Sequence, residues 1–411
     1  MEESNLDILA KTVKDIKGID KNSASLRYQT TTQLVRGYSG IDKATGAVNT
    51  PVYQSALFAH PAFDESTGFS YSRVGNPTRL ELENTIAMLE HGLKAWAFAS
   101  GMAAISILLK LFSQGDHILV SNDLYGGTYR LFTTIYGKFG LEFSYVDTSH
   151  TEEIEAAIRP NTKAIFLETP SNPMMNVTDL QAVSAISKKH NVWMIVDNTF
   201  LSPYFQKPID FGADIVIHSG TKYIGGHNDI LSGFIVLADS ELIEQIYTLS
   251  ISEGGMLSPF DSWLTLRSLK TLAIRLERQQ ENAFKIVKFL KAHPVVDQVH
   301  YVGDPDHPGY ELSKRQTTGF GGMISFSLKR AADVVPTLNH LKLVLFAESL
   351  GGTETLLTFP LVQTHAAIPE EMREKAGVND RLLRLSVGIE DAEDVISDLD
   401  QALRGGRDDG R

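Results

Sequence analysis

The hydrophobic positions fall into two regimes along the chain. From about residue 80, short apolar runs alternate with longer amphipathic stretches. The runs 95–99, 117–120, 143–146, 164–168, 192–196, 214–217 and 234–237 carry almost no polar alternation, so each predicts a strand buried on both faces. Residues 126–138 and 179–190, between such runs, predict helices. Strands of this kind separated by helices predict a mostly parallel sheet covered on both sides, with ligands at the carboxyl ends of the strands. Residues 255–300 predict a long helix or helix pair. After Gly319 come a strand (322–328), a helix (331–341), two strands (344–347 and 382–387) and a final helix (391–403), which together predict a smaller α+β lobe.

The first 80 residues behave differently. Leu6, Leu9, Val13 and Ile16 recur at helical spacing and predict a short amphipathic helix over 5–17. Residues 18–70 read as an extended arm with few periodic elements; in a compact enzyme such a segment wraps something or builds a site. The tail from Gly405 holds only Gly, Arg and Asp and predicts disorder. No internal repeat is visible. The expected division is an arm over 1–78, a large domain over 79–270 and a C-terminal domain over 271–411.

Composition narrows the function. At 411 residues the chain is long enough for two or more lobes. A formal net charge of −12 argues against a nucleic-acid or anionic-membrane surface, so any bound phosphate must be held by a local cluster of donors. The absence of cysteine excludes disulfides, thiolate nucleophiles and cysteine-ligated metals, and makes a cytoplasmic address the default. The opening Met1-Glu-Glu-Ser-Asn-Leu lacks the basic and apolar parts of a signal peptide. The longest apolar stretch, 103–112, is interrupted by Lys110 and too short to span a bilayer.

Five features carry chemistry. Lys222, in His218-Ser-Gly-Thr-Lys-Tyr-Ile-Gly-Gly-His-Asn-Asp229, follows the 214–217 run among hydroxyls and glycines. It can form an imine with an aldehyde cofactor, and Ser219 and Thr221 can donate to a phosphate; by itself, a lysine after a strand is more often structural or solvated. Ser100-Gly-Met-Ala-Ala-Ile105 joins a strand to a helix whose free N–H groups suit a phosphate, or is a plain glycine turn. Asp197, closing the 192–196 run, can keep a pyridine nitrogen protonated, or cap a turn. Tyr125, before a helix, can stack on an aromatic ring, or belong to the core or surface. Arg384, inside an apolar strand, needs an anion: a substrate carboxylate or an internal ion pair. Together they supply an imine lysine, a ring-nitrogen acid, a stacking ring, a phosphate cradle and a carboxylate clamp.

These features sit in segments that resemble the Cys/Met metabolism family of pyridoxal-phosphate enzymes, which includes the cystathionine γ-synthases, cystathionine lyases and methionine γ-lyases. The matching segments are Tyr71-Ser-Arg-Val-Gly-Asn-Pro-Thr78, Ser100-Gly-Met102, Tyr125-Gly-Gly127, Glu168-Thr-Pro-Ser-Asn-Pro173, Asp197-Asn-Thr-Phe200, His218-Ser-Gly-Thr-Lys222, Ala347-Glu-Ser-Leu-Gly-Gly352 and Arg384-Leu-Ser-Val-Gly388. They follow the family's order across roughly residues 30–404. The resemblance implies an α/β fold of the aspartate aminotransferase-like type (fold type I), with a mostly parallel seven-stranded sheet and a smaller C-terminal α+β domain. It implies pyridoxal 5'-phosphate bound through Lys222, with Asp197 on the pyridine nitrogen and Tyr125 on the ring and in acid–base steps. Gly101, Met102, Ser219 and Thr221 would hold the phosphate. Asn172 would lie near the phenolic oxygen and the substrate. Arg384, helped by Ser349, would bind the carboxylate of an amino-acid substrate. Tyr71 and Arg73 would reach the phosphate in the neighbouring subunit, which implies a homotetramer of two catalytic dimers.

Within the family, Glu348 resembles the γ-synthase and γ-lyase branch, where methionine γ-lyases and many β-lyases have an apolar residue. Gly127 stands where methionine γ-lyases typically place a cysteine. The expectation is a cystathionine γ-synthase, exchanging the acyl group of an O-acyl-homoserine for cysteine, or a cystathionine γ-lyase. Cystathionine β-lyase, O-acetylhomoserine sulfhydrylase and methionine γ-lyase are the alternatives. A nucleotide-binding reading fails because Gly319-Phe-Gly-Gly322 does not open a helix after a strand. A metalloenzyme reading lacks histidines at ligand spacing, and His218 and His227 read as structural, with no metal expected.

Overall fold

The computed structural model describes residues 24–405. The helix expected over 5–17 and the tail beyond Gly405 lie outside the described residues. Each of the seven apolar runs forms a strand, displaced by a residue or two: β1 (Lys94–Phe98), β2 (His117–Ser121), β3 (Glu142–Val146), β4 (Thr162–Glu168), β5 (Trp193–Asp197), β6 (Ile215–Ser219) and β7 (Gly233–Leu237). They form one sheet in the order β1-β7-β6-β5-β4-β2-β3, antiparallel only where β7 meets β1 and β6.

Successive residues of the strands point to opposite faces, and both faces are covered. Leu119, Ile165, Val196, Val216 and Val236 pack on one side with Leu82 and Ile86 of α1 (Pro77–Leu89). Val120, Phe166, Ile195, Ile217 and Ile235 pack on the other with Ile105 and Leu108 of α2 (Gly101–Leu109). Double coverage is why the other six strands lack polar alternation; β3, at the sheet edge, is only partly buried, contrary to the expectation for 143–146. The helix expected over 179–190 is α3 (Leu180–His190), capped by Asp179.

Three expectations change in detail. The stretch 126–138 is not one regular helix: an α-helical turn (Gly126–Arg130) widens into a π-helical turn (Leu131–Ile135) and then tightens. This change of pitch accompanies the seating of buried Phe132 against Phe143 and Phe166. In the 255–300 region, the helix Pro259–Leu269 is followed by α4 (Leu272–Ala292), but the chain then becomes β8 (Val296–His300). Pro294 forbids continuation of the helix and biases His293 to the extended backbone it adopts. In the arm, a 3-10 turn (Ala24–Arg27) and a short helix (Thr30–Arg36) precede a long irregular stretch.

A second sheet has the order β10-β11-β12-β9-β8, with β9 (Met323–Leu328), β10 (Leu345–Phe346), β11 (Leu356–Thr358) and β12 (Leu382–Ser386). Ile286 and Leu290 of α4 and Val395 and Leu399 of α5 (Ala392–Leu403) share its core. No helix among the described residues is long and apolar enough to cross a membrane.

Candidate active site

At its carboxyl end β6 turns into Ser219-Gly-Thr-Lys222. Thr221 anchors the turn, its hydroxyl accepting the Ser232 N–H at 3.1 Å. The Lys222 Nζ donates to Ser349 Oγ at 2.9 Å. Burial and then the positive field of Arg384 lower this amine to about 8, against a smaller opposing pull from Glu348. A neutral amine is thereby accessible near physiological pH, as an imine-forming nucleophile requires.

Ser349 arrives on the loop after β10 with φ 95, a conformation L-residues rarely adopt. Nearby Gly351, at φ +76, lies so close to β6's following turn that a Cβ would stand 2.7 Å from the Tyr223 amide nitrogen. The loop is pressed onto the Lys222 backbone, and only glycine fits there.

Asp197 ends β5. Both donors of Thr199, its amide and its hydroxyl, bond Oδ1. The Thr199 hydroxyl also accepts the Ser219 N–H at 2.9 Å, tying the ends of β5 and β6 together. Oδ2 receives no hydrogen bond among the described residues. Directly opposite in the β4–β5 register stands Glu168, whose Oε2 accepts the Tyr125 N–H at 3.1 Å. Burial raises both acids, and the facing Asp197 carboxylate pushes Glu168 well above the usual range. Thr199's donors and the positive side of His218 give Asp197 the stronger claim on the charge. Asp123 is buried beneath, its Oδ2 bound by the Ser171 hydroxyl and the Met174 N–H, and burial lifts it to about 7.

Arg384, on β12, is 1% exposed. Its Nη1 donates to Asn172 Oδ1 at 2.8 Å and its Nη2 to the Ser349 carbonyl at 3.0 Å and Thr358 Oγ1 at 3.3 Å. All three acceptors are neutral, and Nε has no partner. No carboxylate forms an ion pair with it among the described residues, which removes the internal-ion-pair alternative. Asn172 is held in turn by His365, whose Nε2 meets the Asn172 carbonyl at 2.9 Å; burial lowers this imidazole to about 4, so it is neutral and Nε2–H donates.

The phosphate-cradle candidates converge as well. Ser100 caps α2 by accepting the Ala103 N–H, and the N–H groups of Gly101 and Met102 open the helix without intrahelical acceptors. A Cβ on Gly101 would lie 3.0 Å from Ser219 Cβ, so helix start and strand end form one cleft that a side chain would crowd. Tyr125 is exposed at the mouth, its ring lying over Gly127, where a Cβ would come within 2.3 Å of it. Glu348 is exposed beside Ser349. Tyr71 and Arg73 stand apart from this group: both are exposed, with the Arg73 guanidinium 5.5 Å from the Tyr71 ring centroid and bonded to the Ile251 carbonyl. His218 pairs with Glu90 at 2.6 Å and His227 with Ser268 at 2.7 Å, both as parts of internal networks.

A family model for Cys/Met metabolism PLP-dependent enzymes matches residues 31–404. The chain belongs to that family. It is 50% identical over 372 residues to the cystathionine γ-lyase of Bacillus subtilis (strain 168), covering 90% of this chain and 98% of the relative. It is also 50% identical over 378 residues to the cystathionine γ-synthase of Haemophilus influenzae (strain ATCC 51907 / DSM 11121 / KW20 / Rd), covering 92% and 98%. The crystal structure of cystathionine γ-lyase from Lactobacillus plantarum complexed with L-serine superposes with a TM-score of 0.90 at 45% identity, covering 92% and 99%. The protein is therefore a PLP-dependent trans-sulfuration enzyme of fold type I, with pyridoxal 5'-phosphate as cofactor.

The residues present fit this family's cofactor. Asp197 Oδ2 is a carboxylate oxygen without a donor at the end of a buried strand, as a protonated ring nitrogen requires. The Gly101–Ser219 cleft supplies backbone and hydroxyl donors for a phosphate in an acidic protein. Among the described residues Lys222 has no ion-pair partner, and its affinity for its proton is lowered. Sequence reasoning missed Glu168, Asp123 and His365 as parts of the site. Glu168 was legible only as an acid closing an apolar run, and Asp123 and His365 only as polar neighbours of recognised segments.

Proposed function

We propose that this enzyme works at the γ-carbon of homoserine-derived amino acids, replacing the acyl group of an O-acyl-homoserine with cysteine or releasing cysteine from cystathionine. The observation that carries this reading is Glu348. Its exposed carboxylate lies within electrostatic reach of both Lys222 and Arg384. It suits the ammonium group of a second amino-acid moiety, which cysteine and the distal end of cystathionine carry and sulfide and methionine lack. The equal likeness to a γ-lyase and a γ-synthase supports γ chemistry in either direction.

Lys222 would hold the cofactor through its amine, and with substrate bound that amine would take the α-proton and move protons to and from the substrate. Pyridoxal phosphate, when bound, supplies a conjugated ring that accepts the electrons left by proton loss. Asp197 keeps a proton on the ring nitrogen. Tyr125 stacks on the ring and assists acid–base steps. Gly101, Met102, Ser219 and Thr221 would hold the phosphate, and Asn172 would lie near the phenolic oxygen and the substrate. Arg384, with Ser349 and Asn172, orients the substrate carboxylate in a bidentate grip. Tyr71 and Arg73 complete the phosphate site of a neighbouring subunit, in a homotetramer of two catalytic dimers. The proposed division is an arm over 1–78, a large domain over 79–270 and a C-terminal domain over 271–411, supported by one sheet lying within each of the latter two ranges.

The test is a substrate panel with the cofactor-loaded protein: cystathionine, O-acetyl- and O-succinyl-homoserine with cysteine or with sulfide, and methionine. Cystathionine formation from an acyl-homoserine, or 2-oxobutyrate from cystathionine, supports γ chemistry. Pyruvate as the main product would establish β-elimination instead. Glu348→Ala should raise KM for cysteine or cystathionine more than for sulfide.

A further inference from the structure

Two carboxyl groups meet at the floor of the site, and the proposed mechanism uses only one. Glu168 and Asp197 face each other across adjacent parallel strands, both at carboxyl ends. Glu168 is 7% exposed and has no ion pair among the described residues. Its Oε2 accepts the backbone N–H of Tyr125. Asp123 also bears on it, and among the described residues the positive group within electrostatic reach is Arg384, already bonded to Asn172, Ser349 and Thr358.

We infer that Glu168 is a neutral carboxylic acid that positions Tyr125, leaving Asp197 as the anion of the facing pair. The inference rests on Asp197 being the partner of the ring nitrogen. Two facing buried carboxylates cannot both stay ionised without strong repulsion, and Asp197 holds the two Thr199 donors that favour charge. Oε2 is then the carbonyl oxygen that accepts Tyr125 N–H, and Oε1 carries the proton. A neutral Glu168 has two consequences. It does not compete with substrate as a counter-ion for Arg384. It also fixes the backbone from which the Tyr125 ring projects, without adding a second charge facing Asp197. Burial and the Asp197 charge both hold the proton on it. Glu168 is thus a positioning residue that acts through Tyr125.

Infrared spectroscopy of cofactor-loaded and cofactor-stripped protein carrying isotope-labelled glutamate tests this. A labelled protonated-carboxyl band should be present at neutral pH and absent in Glu168→Gln. The isosteric amide should keep the visible-absorbance titration of the bound cofactor within about 0.3 pH unit of wild type. Glu168→Ala should lower kcat about tenfold with KM little changed, the loss expected for a mispositioned group rather than a lost ligand, and Gln should restore it. Absence of the band, or a displacement of the titration by about one unit or more in Glu168→Gln, overturns the inference, since that is what removing an anion would do. If Glu168→Gln does not fold, disappearance or persistence of the band in Glu168→Ala decides. Asp197→Asn is the control: weakened cofactor binding upholds the site reading whatever Glu168 does, and unchanged binding sinks that reading separately.

Discussion

An amine at about 8 beside a buried, unpaired guanidinium is the electrostatic centre of the site. Neither group forms an ion pair among the described residues and both bond neutral oxygens, so each is available to a ligand: Lys222 to an aldehyde and Arg384 to a carboxylate. Removing Arg384 should act on both. Arg384→Ala should raise KM for amino-acid substrates about thirtyfold, from a lost charge-assisted pair of roughly 2 kcal/mol. Because Arg384 helps depress the lysine, the same variant should move cofactor capture by the stripped protein to higher pH. In wild type, capture should accelerate as pH rises through about 8, where the neutral amine becomes the main form. Steady-state kinetics and stopped-flow absorbance check the two halves. At this scale the sequence exposed the residues that break a local pattern: a lysine among hydroxyls, an arginine within an apolar strand. Glu168, Asp123 and His365 did not stand out, because burial and facing neighbours define their roles and both come from tertiary structure.

The elements matter through the loops that they aim. Asp123 clamps the loop carrying Asn172 through the Ser171 hydroxyl and Met174 N–H, two residues before Tyr125. Its carboxyl rises from 3.8 to about 7 on folding, so the folded protein binds more protons than the unfolded chain between those values. Its contribution is fully present below about 3.8 and lost as pH rises through 7, at a cost on the order of 4 kcal/mol at most. Urea unfolding of wild type should therefore lose stability relative to Asp123→Asn between pH 5 and pH 8; parallel profiles would show that Asp123 is ionised throughout. Gly351→Ala should cost about 1–3 kcal/mol and lift the Ser349 loop off Lys222, since φ is positive and Tyr223's amide blocks a Cβ. Thermal melts and cofactor titration measure this. Strands buried on both faces were legible as uninterrupted apolar runs. By contrast, β8 was hidden in an apparent helical continuation because Val296–His300 is a half-exposed edge, and β11, at three residues, gives no readable period.

Over the whole molecule, the arm is the part that a single chain leaves unexplained. Phe63 is 94% exposed, Val48 74% and Leu57 67%, and Tyr71 and Arg73 are exposed as well. Large exposed apolar side chains gathered in one segment suit an association surface. Phe63→Glu should lower the mass seen by analytical ultracentrifugation and reduce activity with it; an unchanged assembly would place the interface elsewhere. The central claim concerns one covalent attachment. Peptide mapping by mass spectrometry after borohydride reduction of the yellow protein tests it most directly. The account predicts a single pyridoxyl-phosphate adduct on the peptide containing Lys222, and none in Lys222→Ala. An adduct on another lysine, or no adduct in a protein that still turns over substrate, would contradict it.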